Sequence, residues 1–205
     1  MEILRGLCIE AELKENVLDP RHHKLIIDTR FISYDSNIME CSDIIAIRYG
    51  SMEMLVFHKL RTDRYYKIEL KDKKGNEMKI FFGHSKLSED NSSQQENYDK
   101  IINSLWFTVK KRLVNEALEK IESGDFYNAC NCKLTKDGIS FFKKFPINKE
   151  IFIPWNEVKK ELGFGKFYIS SLSNKYHKYR INILHNWNSV VLFSIIDFML
   201  KNPSL

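Results

Sequence analysis

Apolar and polar positions alternate at the start of the chain. Leu7, Ile9, Ala11 and Leu13 interleave with Cys8, Glu10, Glu12 and Lys14. A period of two with one wet face predicts a half-buried strand. Asp19-Pro20 ends it. Residues 24–34, rich in Ile, Thr, Phe and Tyr, read as a second strand, followed by a turn at 35–37. Residues 44–49 and 52–60 read as two more strands, separated at Gly50. Residues 65–71 and 77–82 form a hairpin about Lys74-Gly75-Asn76. The stretch 84–97 is polar and reads as a loop. From Tyr98 the period becomes helical: Tyr98, Ile101, Ile102, Leu105, Val109, Leu113, Ala117 and Ile121 fall on one stripe, and Gly124 stops it.

The second half follows the same plan in shorter form. Residues 127–134 read as a strand, and Asp137-Gly138 turns the chain into another at 139–142. Residues 151–154 lead to Trp155. Strands at 167–171 and 178–184 precede a final helix at 187–200, with Asn186 as its expected cap and Pro203 just beyond it. Trp187, Val190, Val191, Ile195, Phe198 and Met199 make one stripe of that helix, and Leu192, Phe193, Ile196 and Leu200 cover most of the rest. A helix apolar nearly all round needs cover on two sides. The expected covers are the first module or a second copy of the chain.

The halves echo one another. Leu25-Ile26-Ile27-Asp28 with Phe31 resembles the segment 134–139, and Cys41-Ser42-Asp43-Ile44-Ile45 resembles Pro154-Trp155-Asn156-Glu157-Val158. A tyrosine-rich hairpin precedes a tryptophan-bearing helix in each, with Trp106 in the first and Trp187 in the second. The run Leu134-Thr135-Lys136-Asp137-Gly138-Ile139-Ser140-Phe141-Phe142, then Ile153-Pro154-Trp155-Asn156-Glu157-Val158, resembles bacterial pleckstrin-homology-like (PH-like) and GRAM-type domains. That resemblance implies an α+β fold: two antiparallel barrel or sheet modules, each closed by a C-terminal helix, over 1–123 and 124–205. It implies a binding or scaffolding role, and Trp155 as a plug of the second barrel. The second module looks too short for seven strands, so the expectation is that it borrows structure from the first. The lipid-binding members carry a Lys…Lys/Arg-x-Arg pattern, which Lys175-Tyr176-His177-Lys178-Tyr179-Arg180 matches, though at a late strand rather than the first hairpin.

Composition sharpens this picture in two places. The net charge of +5 lies in the second half: from Ser123 onward there are 12 Lys+Arg against 6 Asp+Glu. Such a balance favours anionic partners, lipid or nucleic acid, or else is a solvated surface. The candidate cations are Lys159, Lys160, Lys166, Lys175, Lys178 and Arg180, and a single shared patch is what an anionic ligand requires. Phe167, Tyr168, Tyr176 and Tyr179 lie among them and offer stacking surfaces for a nucleic acid. The four cysteines, Cys8, Cys41, Cys130 and Cys132, lack the spacing of a disulfide framework, and the expectation is reduced thiols in the cytoplasm. Cys130 and Cys132 flank one residue of an expected strand, so their side chains are expected on one face.

No motif for chemistry emerges. His22-His23 reads as an exposed loop before a strand; a metal would need two more ligands to converge there, and adjacent residues of a strand point apart, which disfavours chelation. Cys130-x-Cys132 is not a zinc knuckle, and Gly163-Phe164-Gly165-Lys166 lacks the upstream glycine and following Ser/Thr of a phosphate loop. No glycine elbow surrounds a serine or cysteine. The sequence therefore predicts a non-catalytic protein without cofactor or metal. A protein segment is the expected partner, an anionic lipid or nucleic acid the alternative, and an enzyme with a site between the modules the rival.

Overall fold

The computed structural model describes residues 8–14, 21–56, 61–85, 91–143 and 148–202. It divides into two compact units, Met1–Arg112 and Leu113–Leu205.

In the first unit, β1 (Ile9–Lys14), β2 (His22–Ile27), β3 (Phe31–Tyr34) and β4 (Asn37–Glu40) form an antiparallel sheet in chain order. The alternation read from the sequence buries Ala11 and Leu13 against Leu25, Ile27, Ile32 and Met39. The expected strand over 24–34 is two strands, because the Asp28 carboxylate accepts the Arg30 N–H at 3.0 Å and turns the chain between them. A one-turn 3-10 helix, Cys41–Asp43, leads into β5 (Ile44–Val56), β6 (Arg61–Asp72) and β7 (Glu77–Ser85), which make a second antiparallel sheet. Gly50 does not break β5, since it pairs with Lys67 within a continuous ladder. The Lys74-Gly75-Asn76 turn is present, with Gly75 at φ 87° and the Asp72 carboxylate accepting the N–H groups of Lys74 and Asn76 at 2.9 and 2.8 Å.

The polar stretch 84–97 is not a loop where it is described. β7 runs to Ser85 and α1 (Asn91–Leu105) is helical from Asn91. Polar side chains such as the buried Gln94 occupy the start of a helix whose apolar stripe begins only later. A π-helical segment, Trp106–Lys110, interrupts the helix before α2 (Lys111–Glu122). It turns Lys110 inward, where its ammonium donates to the Tyr49 hydroxyl at 3.2 Å and lies 5.1 Å from the centre of the Trp106 ring. Gly124, at φ 87°, ends α2 as expected.

The second unit repeats the order of the first. β8 (Tyr127–Ala129), β9 (Cys132–Leu134), β10 (Gly138–Lys143) and β11 (Lys149–Pro154) form a four-stranded antiparallel sheet. A 3-10 turn, Trp155–Glu157, leads to β12 (Val158–Gly163), β13 (Lys166–Ser171) and β14 (Lys178–Asn182), a three-stranded sheet, and then to α3 (Ser189–Lys201). The seven strands correct the expectation that this half is too short. They are shorter strands rather than fewer, and β12 hides in the charged run Lys159-Lys160-Glu161. The four sheets are separate and open rather than closed into barrels.

Hydrogen bonds at matching places make the repetition concrete. The Cys41 N–H donates to Arg30 O at 2.7 Å, and the Trp155 N–H to Asp137 O at 3.3 Å. The Cys41 thiol meets Asp28 O at 3.6 Å, and the Trp155 indole N–H donates to Thr135 O at 3.0 Å. Lys73 N–H donates to Asp43 O at 2.9 Å, and Leu172 N–H to Glu157 O at 2.8 Å. The echo is therefore in register with Cys41 on Trp155, one residue from the register read in the sequence.

Three local expectations change. The strand over 127–134 breaks at Cys130-Asn131, both at positive φ (56° and 59°), so Cys130 sits in a turn and does not share a strand face with Cys132. Asp137-Gly138 does not act as a two-residue turn. Gly138 opens β10 opposite Pro154, and a Cβ there would come within 2.7 Å of the Phe152 ring. Asn188, not Asn186, is the residue at the N-cap position of α3, at φ 58° and without a side-chain capping bond, while the Asn186 side-chain amide donates to Asn182 O at 3.0 Å.

The helix α3 has one face on the three-stranded sheet, where Phe193 meets Phe167 edge to face at 5.2 Å between ring centres. Its Met199 lines a cavity of about 210 Å³ with Leu118 and Ile121 of α2.

Candidate functional site

The ladder of β12, β13 and β14 sorts the candidate cations by face. Three cross-strand rows face outward: Lys159–Ser170–Lys178, then Glu161–Tyr168–Arg180, then Gly163–Lys166–Asn182. The opposite face carries Phe167, Ile169 and Ile181, all fully buried. Since successive residues of a strand alternate faces, Lys159, Lys166, Lys178 and Arg180 are brought onto one exposed surface around Tyr168.

Within it, Glu161 is the one carboxylate. It pairs with Lys159 at 2.7 Å and with Lys178 at 3.3 Å. Hydrogen bonds from these two ammonium groups hold its carboxyl below the usual carboxylate range. The Lys178 ammonium lies 4.3 Å from the centre of the Tyr168 ring, and that of Lys166 5.9 Å from it. Arg180 is exposed and has no ion pair among the described residues. Four cations against one carboxylate leave the face strongly basic.

The other two candidates lie elsewhere. Lys175 is in the loop between β13 and β14, its ammonium 5.4 Å from the centre of the exposed Tyr176 ring. Lys160 is on the inner face beneath α3, its side chain 11% exposed, where it pairs with Asp197 and lies 3.2 Å from the centre of the Phe193 ring. Burial pushes its pKa down, and the Asp197 carboxylate opposes that shift. Lys160 is thus a fastener of the helix and is not part of the surface. Of the aromatic candidates, Phe167 is buried and Tyr179 stacks on Phe141 at 4.9 Å, leaving Tyr168 and Tyr176 available. Glu161 was not singled out in the sequence. Without β12 the spacing Lys159-x-Glu161 carries no sign that both residues look outward.

The structural tryptophans differ in role. Trp155 is buried at the start of its 3-10 turn, whereas Trp106 and Trp187 are half-buried. The Trp187 carbonyl meets the Cys130 thiol at 3.5 Å. Burial raises the thiol pKa to about 12 at Cys130 and about 11 at Cys41, and raises that of Cys132 as well. At neutral pH these three are thiols rather than thiolates, poor nucleophiles and poor metal ligands.

Two polar clusters look like chemistry and are better explained as turns. Glu157 accepts hydrogen bonds from Ser171 Oγ at 2.9 Å and from Ser173 Oγ, while the Nε2 of His177 meets the Asn174 amide at 3.3 Å. Both hydroxyls donate to a carboxylate held below its usual range, so this glutamate fastens the β13–β14 loop as an acceptor. His23 Nδ1 lies 2.7 Å from Asp35 Oδ2, and Asp35 also accepts the Lys24 N–H at 3.0 Å. His22 and His23 open β2 rather than lying in a loop before it, and His22 is directed to Glu12 rather than to Asp35.

Comparison with protein-family models, curated proteins and solved structures finds no match to this chain. No helix among the described residues is long and apolar enough to cross a membrane.

Proposed function

We propose that the chain is a non-catalytic binding protein built of two PH-like modules, whose second module holds an anionic partner on the outer face of β12–β14. The observation that carries this reading is the convergence of Lys159, Lys166, Lys178 and Arg180 on one face around Tyr168. Cations scattered over several faces would have argued for a solvated surface. The recurrence of four strands, a 3-10 turn, three strands and a helix supports the PH-like assignment, while the binding role rests on the basic face, since one fold hosts many functions. A segment of another protein is the partner we favour, since open sheet edges flank the basic face. Anionic lipid and nucleic acid share the same charge.

The test is binding of the full chain to polyglutamate, to anionic and neutral vesicles, and to oligothymidylate, each at low and high salt. The expected result is salt-sensitive binding to at least one anionic probe that is lost when Lys166, Lys178 and Arg180 are changed to Glu, with the far-UV spectrum unchanged. Binding that survives this charge reversal, or no binding to any anionic probe, would refute the assignment.

A further inference from the structure

The edge of the basic face has an opening that matches its charges. β14 is the last strand of its sheet and pairs only with β13 among the described residues. The Ser171 N–H donates to His177 O at 3.0 Å, and the Ile183 N–H to Gly165 O at 3.0 Å. In an antiparallel ladder the residues that exchange bonds with a neighbour alternate with those that face away from it. His177, Tyr179, Ile181 and Ile183 therefore turn their backbone groups toward β13. Lys178, Arg180 and Asn182 turn theirs outward. The Asn182 carbonyl is occupied, accepting from the Asn186 N–H at 3.1 Å and its side-chain amide at 3.0 Å. The outward N–H and C=O of Lys178 and Arg180 have no partner among the described residues.

The two residues whose backbone is open are thus the two of β14 that carry cations on the outer face. An added antiparallel strand would exchange bonds with both, and its residues opposite them would set their side chains on the same face, beside Lys178 and Arg180. Two residues of an extended chain advance about 6.7 Å, the same step that separates the two cations along β14. Resting on the reading of the basic face as an anionic docking site, we infer that the partner is a protein segment with acidic residues at i and i+2, which adds to β14 as an edge strand. Arg180 is the principal anchor. It carries no ion pair and offers a fork that a carboxylate meets with two hydrogen bonds, whereas Lys178 is already shared with Glu161. Edge pairing supplies affinity and register, and the two charges supply selectivity.

The probe is a fluorescein-labelled nine-residue peptide alternating Glu and Thr, titrated with the full chain and read by anisotropy. Two backbone-methylated versions separate edge pairing from simple charge. Methylating the glutamate nitrogens blocks the groups facing β14, and methylating the threonine nitrogens leaves them free. The expected result is saturable binding, weakened at least tenfold by Arg180→Glu and by glutamate N-methylation, and changed less than twofold by threonine N-methylation. A matching peptide of alternating Lys and Thr is expected to bind the Arg180→Glu, Lys178→Glu variant in preference to the parent chain. Peptide binding that is lost on charge reversal but indifferent to N-methylation would overturn strand addition and leave the basic face standing as an anion-binding surface. So would failure of the peptide while anionic vesicles or oligothymidylate bind with the same charge sensitivity. Failure of every anionic probe would overturn both. Unchanged far-UV spectra and melting of the variants exclude unfolding as the cause.

Discussion

Lys160 and Asp197 offer a direct measure of how α3 is held to its sheet. The ammonium is nearly covered and lies against the Phe193 ring, while the Asp197 side chain is 44% exposed. Replacing Asp197 by Asn leaves a desolvated cation without its counter-charge. Breaking a fully buried pair costs about 3–5 kcal/mol, and the half-exposed carboxylate lowers the expectation here to roughly 1–2 kcal/mol. Lys160→Met removes the cation and keeps an unbranched chain over the ring, so its expected effect is under about 0.5 kcal/mol. The double variant is expected to resemble Lys160→Met alone, giving a coupling of about 1 kcal/mol. Urea unfolding followed by circular dichroism resolves this, since 1 kcal/mol moves the midpoint by roughly 0.3–1 M. The pH dependence follows from the depressed pKa of Lys160. The unfolded chain keeps this proton up to about 10.5 and the folded chain releases it earlier, so stability from this group rises as pH climbs through the folded pKa toward 10.5. That rise is expected to be larger in Asp197→Asn and absent in Lys160→Met. Lys160→Met as damaging as Asp197→Asn would refute the view that the pair serves to neutralise a buried charge.

Two further outcomes follow from the frame of the units. Trp155→Phe is expected to cost about 1 kcal/mol through loss of the indole bond to Thr135 O, and Trp155→Ala about 3–5 kcal/mol because a cavity opens beside β10, both measured by urea unfolding. In native protein at pH 7.5, iodoacetamide followed by peptide mapping is expected to label the exposed Cys8 first, with Cys41, Cys130 and Cys132 reacting only on unfolding. Rapid native labelling of Cys130 would contradict its raised pKa.

Much of the frame could be read along the chain. Alternation announced β1 and the β6–β7 hairpin, the 3.6 period announced α2, and Gly124 its end. These signals are local, because each strand or helix that buries one face must repeat apolar residues at its own period. Elements went unseen where the local signal is weak. β4 is four residues long, the middle of β12 is charged, and the start of α1 is polar.

The sequence by itself determined the α+β class, the basic excess of the second half and the cations that compose it. It also determined an apolar final helix that must be covered on two sides. The tertiary structure decided which face each cation occupies, and hence that Lys159, Lys166, Lys178 and Arg180 converge while Lys160 fastens α3. It also decided that Lys178 and Arg180 have open backbone groups, and that Met199 of α3 lines one cavity with Leu118 and Ile121 of α2. These outcomes depend on strand register and on packing between residues far apart in the chain. A shift of one residue in the pairing of β12 would carry Lys159 inward and Lys160 out, and no local pattern in the three consecutive charged residues Lys159, Lys160 and Glu161 fixes that choice.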